Sequence, residues 1–228
     1  MKLYLSSYQF GNEIHALKEM VGTNTKVGII QNALDVYSDI ERRKASLQRE
    51  IDGLSNIGLQ PEELDLRSYY SNKEKLAGKL SRLGGVWVTG GNCFALRGAF
   101  KESGMDEWLI QQRNNNEFVY SGYSAGVCVL APNLKGIDLM DDPEAAQKLF
   151  NKDVVWEGLG LVSYLIVPHF DSPSHKASPL TPAVVEFMKK EGLPYKTLRD
   201  GEVIIENTSN VETTQEMQNR LNKETGQS

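Results

Sequence analysis

The sequence has few of the features that mark secreted, membrane-spanning or nucleic-acid-binding proteins. Of its 228 residues only two are cysteine, and their number and spacing fit neither a disulfide framework nor a zinc site. No apolar run approaches the roughly 18 residues needed to cross a bilayer, and the N-terminal "MKLYLSSYQF" becomes polar too early for a signal peptide. The net charge of -5 comes without a basic stripe. We therefore predict a soluble cytoplasmic protein with no nucleic-acid or membrane partner.

Short β-rich runs alternate with longer helical ones, which predicts a mostly parallel sheet with covering helices. The predicted strands are "KLYLSS", "KVGIIQNA", "ELDLRS", "GGVWVTGG", "EFVYSGYS", "LGLVSYLIVPHF" and a hairpin-like pair in "YKTLRDGEVIIEN". The predicted helices are "NEIHALKEM", residues 38–57, "NKEKLAGKLSRL", residues 93–115 with a break near Gly104, "PEAAQKLF" and "TPAVVEFMKKEG". A chain of this length is typical of one sizeable core, so residues 1–206 are predicted as a single domain and residues 207–228 as a polar tail.

The stretch "YSGYSAGVCVLAP", residues 120–132, places a serine at the end of a predicted buried strand. Its G-x-S-x-G pattern is that of a nucleophile elbow, in which a sharp strand-to-helix turn exposes the serine hydroxyl. Gly122 and Gly126 relieve crowding at such a turn, and Ser124 stands at its apex. The pattern also occurs by chance, but its place between an apolar strand and a helical run favours Ser124 as a nucleophile. Cys128, one turn further on, is predicted to be a buried hydrophobe.

A second predicted strand, "GGVWVTGG", also runs into glycines. Gly90 and Gly91 allow a close approach of the backbone, and Asn92 is suited to cap the following helix. The carboxyl ends of parallel strands meet at one edge of a sheet. We therefore expect the N–H groups of these glycines and of Ala125 to face an oxyanion formed at Ser124, with Asn92 as a further candidate for substrate binding.

A serine nucleophile needs a base, and the chain contains only three histidines. His169 ends the apolar run "LIVPHF" and is predicted at the same carboxyl edge of the sheet as Ser124, which makes it the candidate base. His15 is predicted as a surface or helix-packing residue, and His175 as a solvated loop residue. No third partner accompanies the two later histidines at a helpful spacing, so no metal is predicted.

The acidic group that would orient the base stays open when only the residues are considered. Asp200, next to Gly201 in a predicted turn, is one candidate. The aspartates of the loop after the elbow are the others: Asp138, Asp141 and Asp142. Each of them is equally well explained as a turn former or a helix cap.

The segments "GGVWVTGGNCFAL", "YSGYSAGVCVLAP", "VPHF" and "LRDGEVI", in this order and spacing, resemble the peptidase E family of serine peptidases, also called the dipeptidase E or aspartyl dipeptidase family. The resemblance covers about residues 1–206. It implies a three-layer α/β fold, flavodoxin-like or class I glutamine amidotransferase-like, without metal or other cofactor. It also implies a short peptide substrate, Ser124 as nucleophile and His169 as base, with Asp200 as the acid and Asp138 as its alternative.

The chain departs from this family downstream of the candidate base. Aspartyl dipeptidases follow P-H-F with a segment that reads His-Lys-Gly-Glu-Thr-Arg, whose arginine can pair with an acidic substrate side chain. The matching stretch, residues 175–180, ends in Leu180, which cannot form an ion pair. Leu180 therefore puts strict selectivity for an N-terminal aspartate in doubt, and Lys176 is not favoured as a substitute for the arginine.

The resulting prediction is a cytosolic serine peptidase that acts on short peptides through an acyl-enzyme at Ser124. An esterase of the α/β-hydrolase type predicts the order Ser, Asp, His and an HGGG-type segment, and neither occurs here. A binding or regulatory protein on an amidotransferase-like scaffold is the alternative from another class. A monomer and a homodimer are equally compatible with the sequence.

Overall fold

Strands and helices alternate along residues 1–208, the part of the chain that this computed structural model describes. The strands are β1 (Lys2–Ser6), β2 (Lys26–Ile30), β3 (Gln60–Glu63), β4 (Gly85–Val88), β5 (Val119–Tyr123), β6 (Leu165–Val167), β7 (Tyr195–Thr197) and β8 (Val203–Asn207). The α-helices are α1 (Ile14–Val21), α2 (Ile40–Asn56), α3 (Lys73–Leu80), α4 (Cys93–Ser103), α5 (Met105–Gln111), α6 (Ala125–Cys128), α7 (Pro143–Phe150) and α8 (Thr181–Lys190). None of the helices in this range is long and apolar enough to cross a membrane.

Six strands form the main sheet in the order β3-β2-β4-β5-β1-β8. The first five of these strands are parallel, and β8 runs antiparallel to β1 at the edge. Gly122 of β5 pairs with Leu5 on one side and with Val88 on the other. Because β5 lies between β4 and β1, the residue that follows it, Ser124, leaves the sheet at the middle of its carboxyl edge.

The side chains of the central strands alternate between two apolar layers. Val86 and Val88 of β4 enter one core cluster, and Trp87 between them enters the other. Leu17 of α1 and Leu54 of α2 pack in the cluster of Trp87, whereas α3, α4, α5, α6 and α8 contribute to the opposite cluster. Successive strand residues point to opposite faces, so the sheet is covered on both sides. This is the three-layer α/β arrangement that the sequence predicts.

The predicted strand "ELDLRS", residues 63–68, is wrong. The strand β3 ends at Glu63, and residues Leu66–Tyr69 form a 3₁₀ turn. The carboxylate of Asp65 accepts a hydrogen bond from the backbone N–H of Arg67 at 3.1 Å. A short acidic side chain that takes a local backbone donor in this way competes with strand pairing.

The predicted strand over residues 159–169 is also too long. Only Leu165–Val167 is a strand, and it pairs in parallel with β7 in a separate two-stranded sheet. The preceding residues 159–162 instead donate backbone hydrogen bonds to the carbonyls of residues 129–131, just after α6. His169 therefore comes to the site from this small sheet, not from the carboxyl edge of the main one.

The predicted hairpin around Asp200 and Gly201 is wrong in its pairing, although the turn itself is present. The strand before the turn, β7, pairs with β6, and the strand after it, β8, pairs with β1 of the main sheet. Gly201 has a φ of 101°, which favours glycine. The turn thus connects the two sheets. Asn207, at the start of the predicted tail, is the last residue of β8, and the tail from residue 209 onward lies outside the described residues.

A buried carboxylate ties α2 to the main sheet. Glu50, whose side chain is fully buried, accepts hydrogen bonds from Trp87 Nε1 at 2.9 Å and from the hydroxyl of Tyr123 at 3.1 Å. Arg49 Nη2 donates to the same carboxylate at 2.7 Å. Three donors on a carboxylate with no access to water offset the cost of burying its charge, so the position of α2 depends on this group.

Glu50→Ala is expected to lower the free energy of unfolding by about 3–5 kcal/mol, because it leaves buried donors without an acceptor. Urea denaturation followed by tryptophan fluorescence measures this loss. Asp52→Ala removes an exposed carboxylate from the same helix and is the matched control, with an expected change within about 0.5 kcal/mol. Equal effects of the two substitutions would contradict the role of Glu50.

Candidate active site

The turn between β5 and α6 holds Ser124 in a strained conformation. Its φ is 53° and its ψ is -117°, values that residues with a side chain rarely adopt. Such a backbone costs about 1–3 kcal/mol and persists only where the surrounding structure enforces it. The turn separates the end of β5 at Tyr123 from the start of α6 at Ala125 without an intervening loop. The structure thus has the strand-to-helix elbow that the G-x-S-x-G pattern predicts.

Close contact with the end of β4 explains the glycines around this serine. A Cβ atom on Gly122 would lie 2.3 Å from the carbonyl oxygen of Val88, and one on Gly126 would lie 2.4 Å from the same oxygen. A Cβ atom on Gly90 would lie 2.9 Å from Cβ of Ser124. No side chain fits at these three positions, so the glycines allow the elbow to pack directly against the neighbouring strand end.

Ser124, His169 and Asp200 form a continuous hydrogen-bonded chain. His169 Nε2 lies 3.0 Å from Ser124 Oγ, and His169 Nδ1 lies 2.8 Å from Asp200 Oδ1. A carboxylate only accepts hydrogen bonds, so the proton of the neutral imidazole is on Nδ1 and is donated to Asp200. Nε2 is then free to accept the hydroxyl proton of Ser124. This is the geometry of a nucleophile, a base and an orienting acid.

The imidazole of His169 is buried among aromatic rings. The ring of His175 stacks on it with 3.5 Å between centroids and 6° between planes, and Tyr8 meets both rings edge-on. Burial lowers the pKa of His169 to about 4, Asp200 opposes this shift, and the neighbouring His175 adds to it. The imidazole is therefore neutral near pH 7. His175, predicted as a solvated loop residue, is instead half-buried and packs on one face of the His169 ring.

Two further serines, which belong to no motif noted in the sequence, hydrogen-bond to His169 and Asp200 and so hold this arrangement in place. Ser7, just after β1, accepts the backbone N–H of His169 at 2.8 Å and donates to Asp200 Oδ1 at 2.9 Å. Ser172 accepts the backbone N–H of Asp200 at 2.8 Å. Ser7 is 193 residues away from Asp200 in the chain. Only its position at the end of the first strand of a parallel sheet could have drawn attention to it.

The backbone near Ser124 offers donors for an oxyanion. Within residues 1–208, no backbone hydrogen bond uses the N–H groups of Gly90, Gly91 or Ala125. Gly90 and Gly91 line the same cavity as Ser124. Asn92 lies elsewhere: its Oδ1 caps α4 by accepting the N–H of Ala95, and its Nδ2 donates to the carbonyl of Asp142. The prediction of a helix cap at Asn92 is confirmed, and its side chain does not line the cavity.

The other acidic candidates are placed away from His169. Asp138 is exposed and accepts the N–H of Gly136, and Asp142 caps α7. Asp141 lines the cavity, accepts the backbone N–H of Cys93 at 2.9 Å, and has a carboxyl pKa raised by burial. Of the four aspartates, Asp200 is therefore the one that the fold places on the imidazole.

A cavity of about 370 Å³ opens above the serine, within the range of sites that hold one small ligand. Its wall includes α2, which no sequence motif connects with the site, and the stretch around Lys176, which is not favoured from the sequence as a substrate-binding segment. Leu180 is not part of the lining and is 43% exposed. Cys128 is buried, as predicted, and donates to the carbonyl of Ile166 at 3.4 Å.

The chain matches a known protein family. The family description "Peptidase family S51" matches residues 11–214, most of the chain. The chain belongs to peptidase family S51. The resemblance to peptidase E that the sequence motifs indicate is therefore confirmed, and the matched residues include Ser124, His169 and Asp200.

Curated relatives of this S51 chain include proteins named as peptidases. An uncharacterized peptidase of Listeria innocua is 32% identical over 52% of this chain and 54% of its own length. Peptidase E of Streptomyces coelicolor is 30% identical over 60% of this chain and 54% of its own length. The chain spans about half the length of these curated relatives.

Solved structures confirm the fold. A protein of Listeria monocytogenes EGD-e assigned to peptidase E has a TM-score of 0.69 and 24% identity, covering 90% of this chain and 98% of that protein. A peptidase from an acI-B1 Actinobacterium has a TM-score of 0.67 and 13% identity, with 90% and 83% covered. The three-layer α/β fold of this S51 chain is thus shared at low sequence identity.

The buried imidazole generates a prediction for titration. His169 is expected to titrate at about pH 4, below the ordinary histidine value of 6.5, because burial disfavours its charged form. The unfolded chain then binds more protons than the folded one between these values, so stability falls as pH drops from 6.5 toward 4. NMR titration of the imidazole protons measures the pKa, and the signal is assigned by its loss in His169→Gln. A value at or above 6.5 would contradict the effect of burial.

Proposed function

We propose that this S51 chain is a serine hydrolase that cleaves dipeptides or short peptides through an acyl-enzyme on Ser124. The observation that carries the proposal is the pair of hydrogen bonds that His169 makes to Ser124 Oγ and to Asp200 Oδ1. The strained elbow supports it, because a turn that costs energy and exposes a hydroxyl is typical of a nucleophile. Membership in a family named for peptidases supports the substrate class.

In the acylation step, Ser124 Oγ attacks the carbonyl carbon of the scissile amide while His169 Nε2 accepts the hydroxyl proton. The imidazolium that forms is stabilised by the carboxylate of Asp200 on Nδ1. As the tetrahedral intermediate collapses, the carbon–nitrogen bond breaks and Nε2 gives its proton to the leaving amine. The product is an ester on Ser124 and a free amine.

In the deacylation step, the same imidazole activates water. The water oxygen attacks the ester carbonyl while His169 Nε2 accepts a proton from the water. Nε2 then gives this proton to Ser124 Oγ when the ester bond breaks. The second product leaves as a carboxylic acid. The low pKa of His169 keeps the imidazole neutral before each step, which a base requires.

The oxyanion of each tetrahedral intermediate would be bound by the free backbone N–H groups of Ala125 and of Gly90 or Gly91. Ala125 begins α6, directly after the serine. The close packing of Gly90 against Ser124 supports the approach of the second donor. Each such donor contributes about 3–4 kcal/mol of transition-state stabilisation.

The two alternatives are less well supported. A binding protein without turnover has no need of a base hydrogen-bonded to the serine or of a strained elbow, and the chain has both. An α/β-hydrolase esterase predicts the acid before the histidine in the chain, whereas Asp200 follows His169. A cytoplasmic location, and a monomer or homodimer, stay predictions from the sequence.

Ser124→Ala is expected to abolish turnover of a dipeptide library while leaving the fold unchanged, since the substitution removes the hydroxyl and little packing. Mass spectrometry of the products measures the activity, and circular dichroism checks the fold. Ser174→Ala, an exposed serine of the loop next to His175, is the matched control and is expected to keep full activity.

A serine-directed phosphonate supplies the second readout of this proposal. The wild-type chain and Ser174→Ala are expected to gain one adduct on Ser124, and Ser124→Ala none, because only an activated hydroxyl attacks the phosphonate. Residual hydrolysis above about a tenth of the wild-type rate in Ser124→Ala would overturn the assignment of the nucleophile.

Ser7→Ala is expected to reduce kcat by about tenfold to a hundredfold, with a smaller change in KM. The hydroxyl of Ser7 holds both the backbone of His169 and the carboxylate of Asp200, and small displacements of catalytic groups have effects of this size. Steady-state kinetics separates the two constants. Ser6→Ala alters the preceding serine, whose hydroxyl donates to the carbonyl of Tyr8 and, within residues 1–208, makes no hydrogen bond to His169 or Asp200, and serves as control. Equal kinetics for both variants would show that Ser7 does not position the base.

A further inference from the structure

One face of α2 forms part of the cavity wall. Arg42, Ala45, Ser46 and Arg49 line the cavity together with Ser124 and His169. The four α2 residues follow the spacing i, i+3, i+4, i+7, which places them on one side of a helix. The two positions between the arginines carry small side chains, so a ligand in the cavity has access to both guanidinium groups.

The charge of Arg49 is already neutralised within the protein. Its Nη2 lies 2.7 Å from the buried carboxylate of Glu50, 3.0 Å from Ser46 Oγ and 3.3 Å from the hydroxyl of Tyr123. These contacts fix Arg49 against the sheet. Its role is therefore mainly structural.

Arg42 has no carboxylate partner of this kind in the part of the chain that the structure describes. Its guanidinium carbon lies 5.4 Å from the centre of the Tyr37 ring, and Tyr37 also lines the cavity. Within residues 1–208, no carboxylate lies within 4.0 Å of the Arg42 guanidinium or of the Lys176 ammonium. Stacking on an aromatic ring keeps a guanidinium oriented while leaving its N–H groups available.

Among the described residues, the cavity lining carries more cationic side chains than carboxylates. Arg42 comes from α2, and Lys176 comes from the loop that follows His169. Within residues 1–208, one carboxylate lines the cavity, that of Asp141, and it accepts the backbone N–H of Cys93. Burial raises the pKa of Asp141, and the charge of Lys176 opposes this shift only in part, so Asp141 offsets one of these cations at most. Two cations from separate segments, in a cavity of the size of one small ligand, favour an anionic group on that ligand.

We propose that Arg42, assisted by Lys176, binds a carboxylate of the peptide substrate, so that selectivity for a carboxylate in this chain depends on α2. This inference rests on the proposed hydrolase function and names the substrate group that the site selects. Leu180 does not reach the cavity, so the loss of a cation at that position leaves this selectivity intact. The carboxylate belongs either to an acidic side chain or to the C-terminus of a short peptide, and both offer the same planar pair of oxygens.

Matched peptide pairs distinguish the two sources of the carboxylate. Asp-Leu against Asn-Leu and Leu-Asp against Leu-Asn test the side chain, and Leu-Leu with a free or an amidated C-terminus tests the terminal group. The measured quantity is the ratio of kcat/KM for the acid to that for its neutral partner. The wild-type chain is expected to prefer the acid by at least about tenfold in at least one pair.

Variants of α2 then test which residue is responsible. Arg42→Gln is expected to reduce this ratio by about tenfold or more, and Arg42→Lys, which keeps the charge but loses the planar fork, by less. Lys44→Gln removes the same charge from the same helix, at an exposed residue outside the cavity that pairs with Glu41, and is expected to leave the ratio unchanged. Circular dichroism confirms that each variant is folded.

The outcomes separate this inference from the function on which it rests. Hydrolysis that depends on Ser124, with no preference for acids or with an unchanged ratio in Arg42→Gln, overturns the inference and leaves the hydrolase in place. Equal losses in Arg42→Gln and Lys44→Gln also overturn it, because they would reflect a general effect of charge. Absence of Ser124-dependent hydrolysis of every peptide, together with no phosphonate adduct, overturns the proposed function and this inference with it.

Discussion

The close packing of the β5–α6 elbow against the end of β4 is the constraint on which the site depends. The carbonyl oxygen of Val88 occupies the space where side chains at positions 122 and 126 would begin, so two glycines are needed in one turn. This contact brings the second strand end, at Gly90, next to Ser124. It also holds Ser124 in a backbone conformation that is unfavourable by itself. The packing of the sheet offsets the cost of this conformation, so the hydroxyl of Ser124 is presented from a fixed strand end.

His169, the candidate base, is positioned by side chains from distant segments and not by a tight turn of the main sheet. His169 has a positive φ of 63° and lies after a short strand of the small sheet, which provides little regular structure. Its position comes from hydrogen bonds with Ser7 and Asp200 and from the stacked ring of His175. Ser7 follows the first strand of the main sheet, whereas Asp200 lies on the turn that joins the two sheets. The arrangement therefore forms only when both sheets are in place.

The part of the cavity wall formed by α2 combines a structural role and a recognition role in one helix. Glu50 on α2 is bonded to Trp87 and Tyr123, so the helix is fastened to the sheet through a buried carboxylate. The neighbouring Arg49 neutralises that charge. About two helical turns earlier, Arg42 lines the cavity without a carboxylate partner among the described residues. Anchoring at one end of the helix face and an available cation at the other suit a wall that is fixed in position and still attracts an anionic ligand.

Features that depend on residues close together in the chain could be predicted from the sequence alone. The elbow at Ser124, the break at Gly104, the cap at Asn92 and the alternation of strands and helices all follow from local backbone requirements. Contacts between segments that are far apart in the chain are established only by the tertiary structure. In the folded chain, β7 and β8 lie in different sheets, and Asp200 is the one of the four candidate aspartates that contacts His169. Ser7 lies beside His169 and Asp200, and the charged face of α2 lines the cavity. Hydrophobic periodicity predicts which face of a helix is apolar, but a charged face next to a cavity has the same pattern as one in water. A hydrogen bond across 193 residues leaves no local pattern in the sequence, because its partners meet only when the sheets have formed.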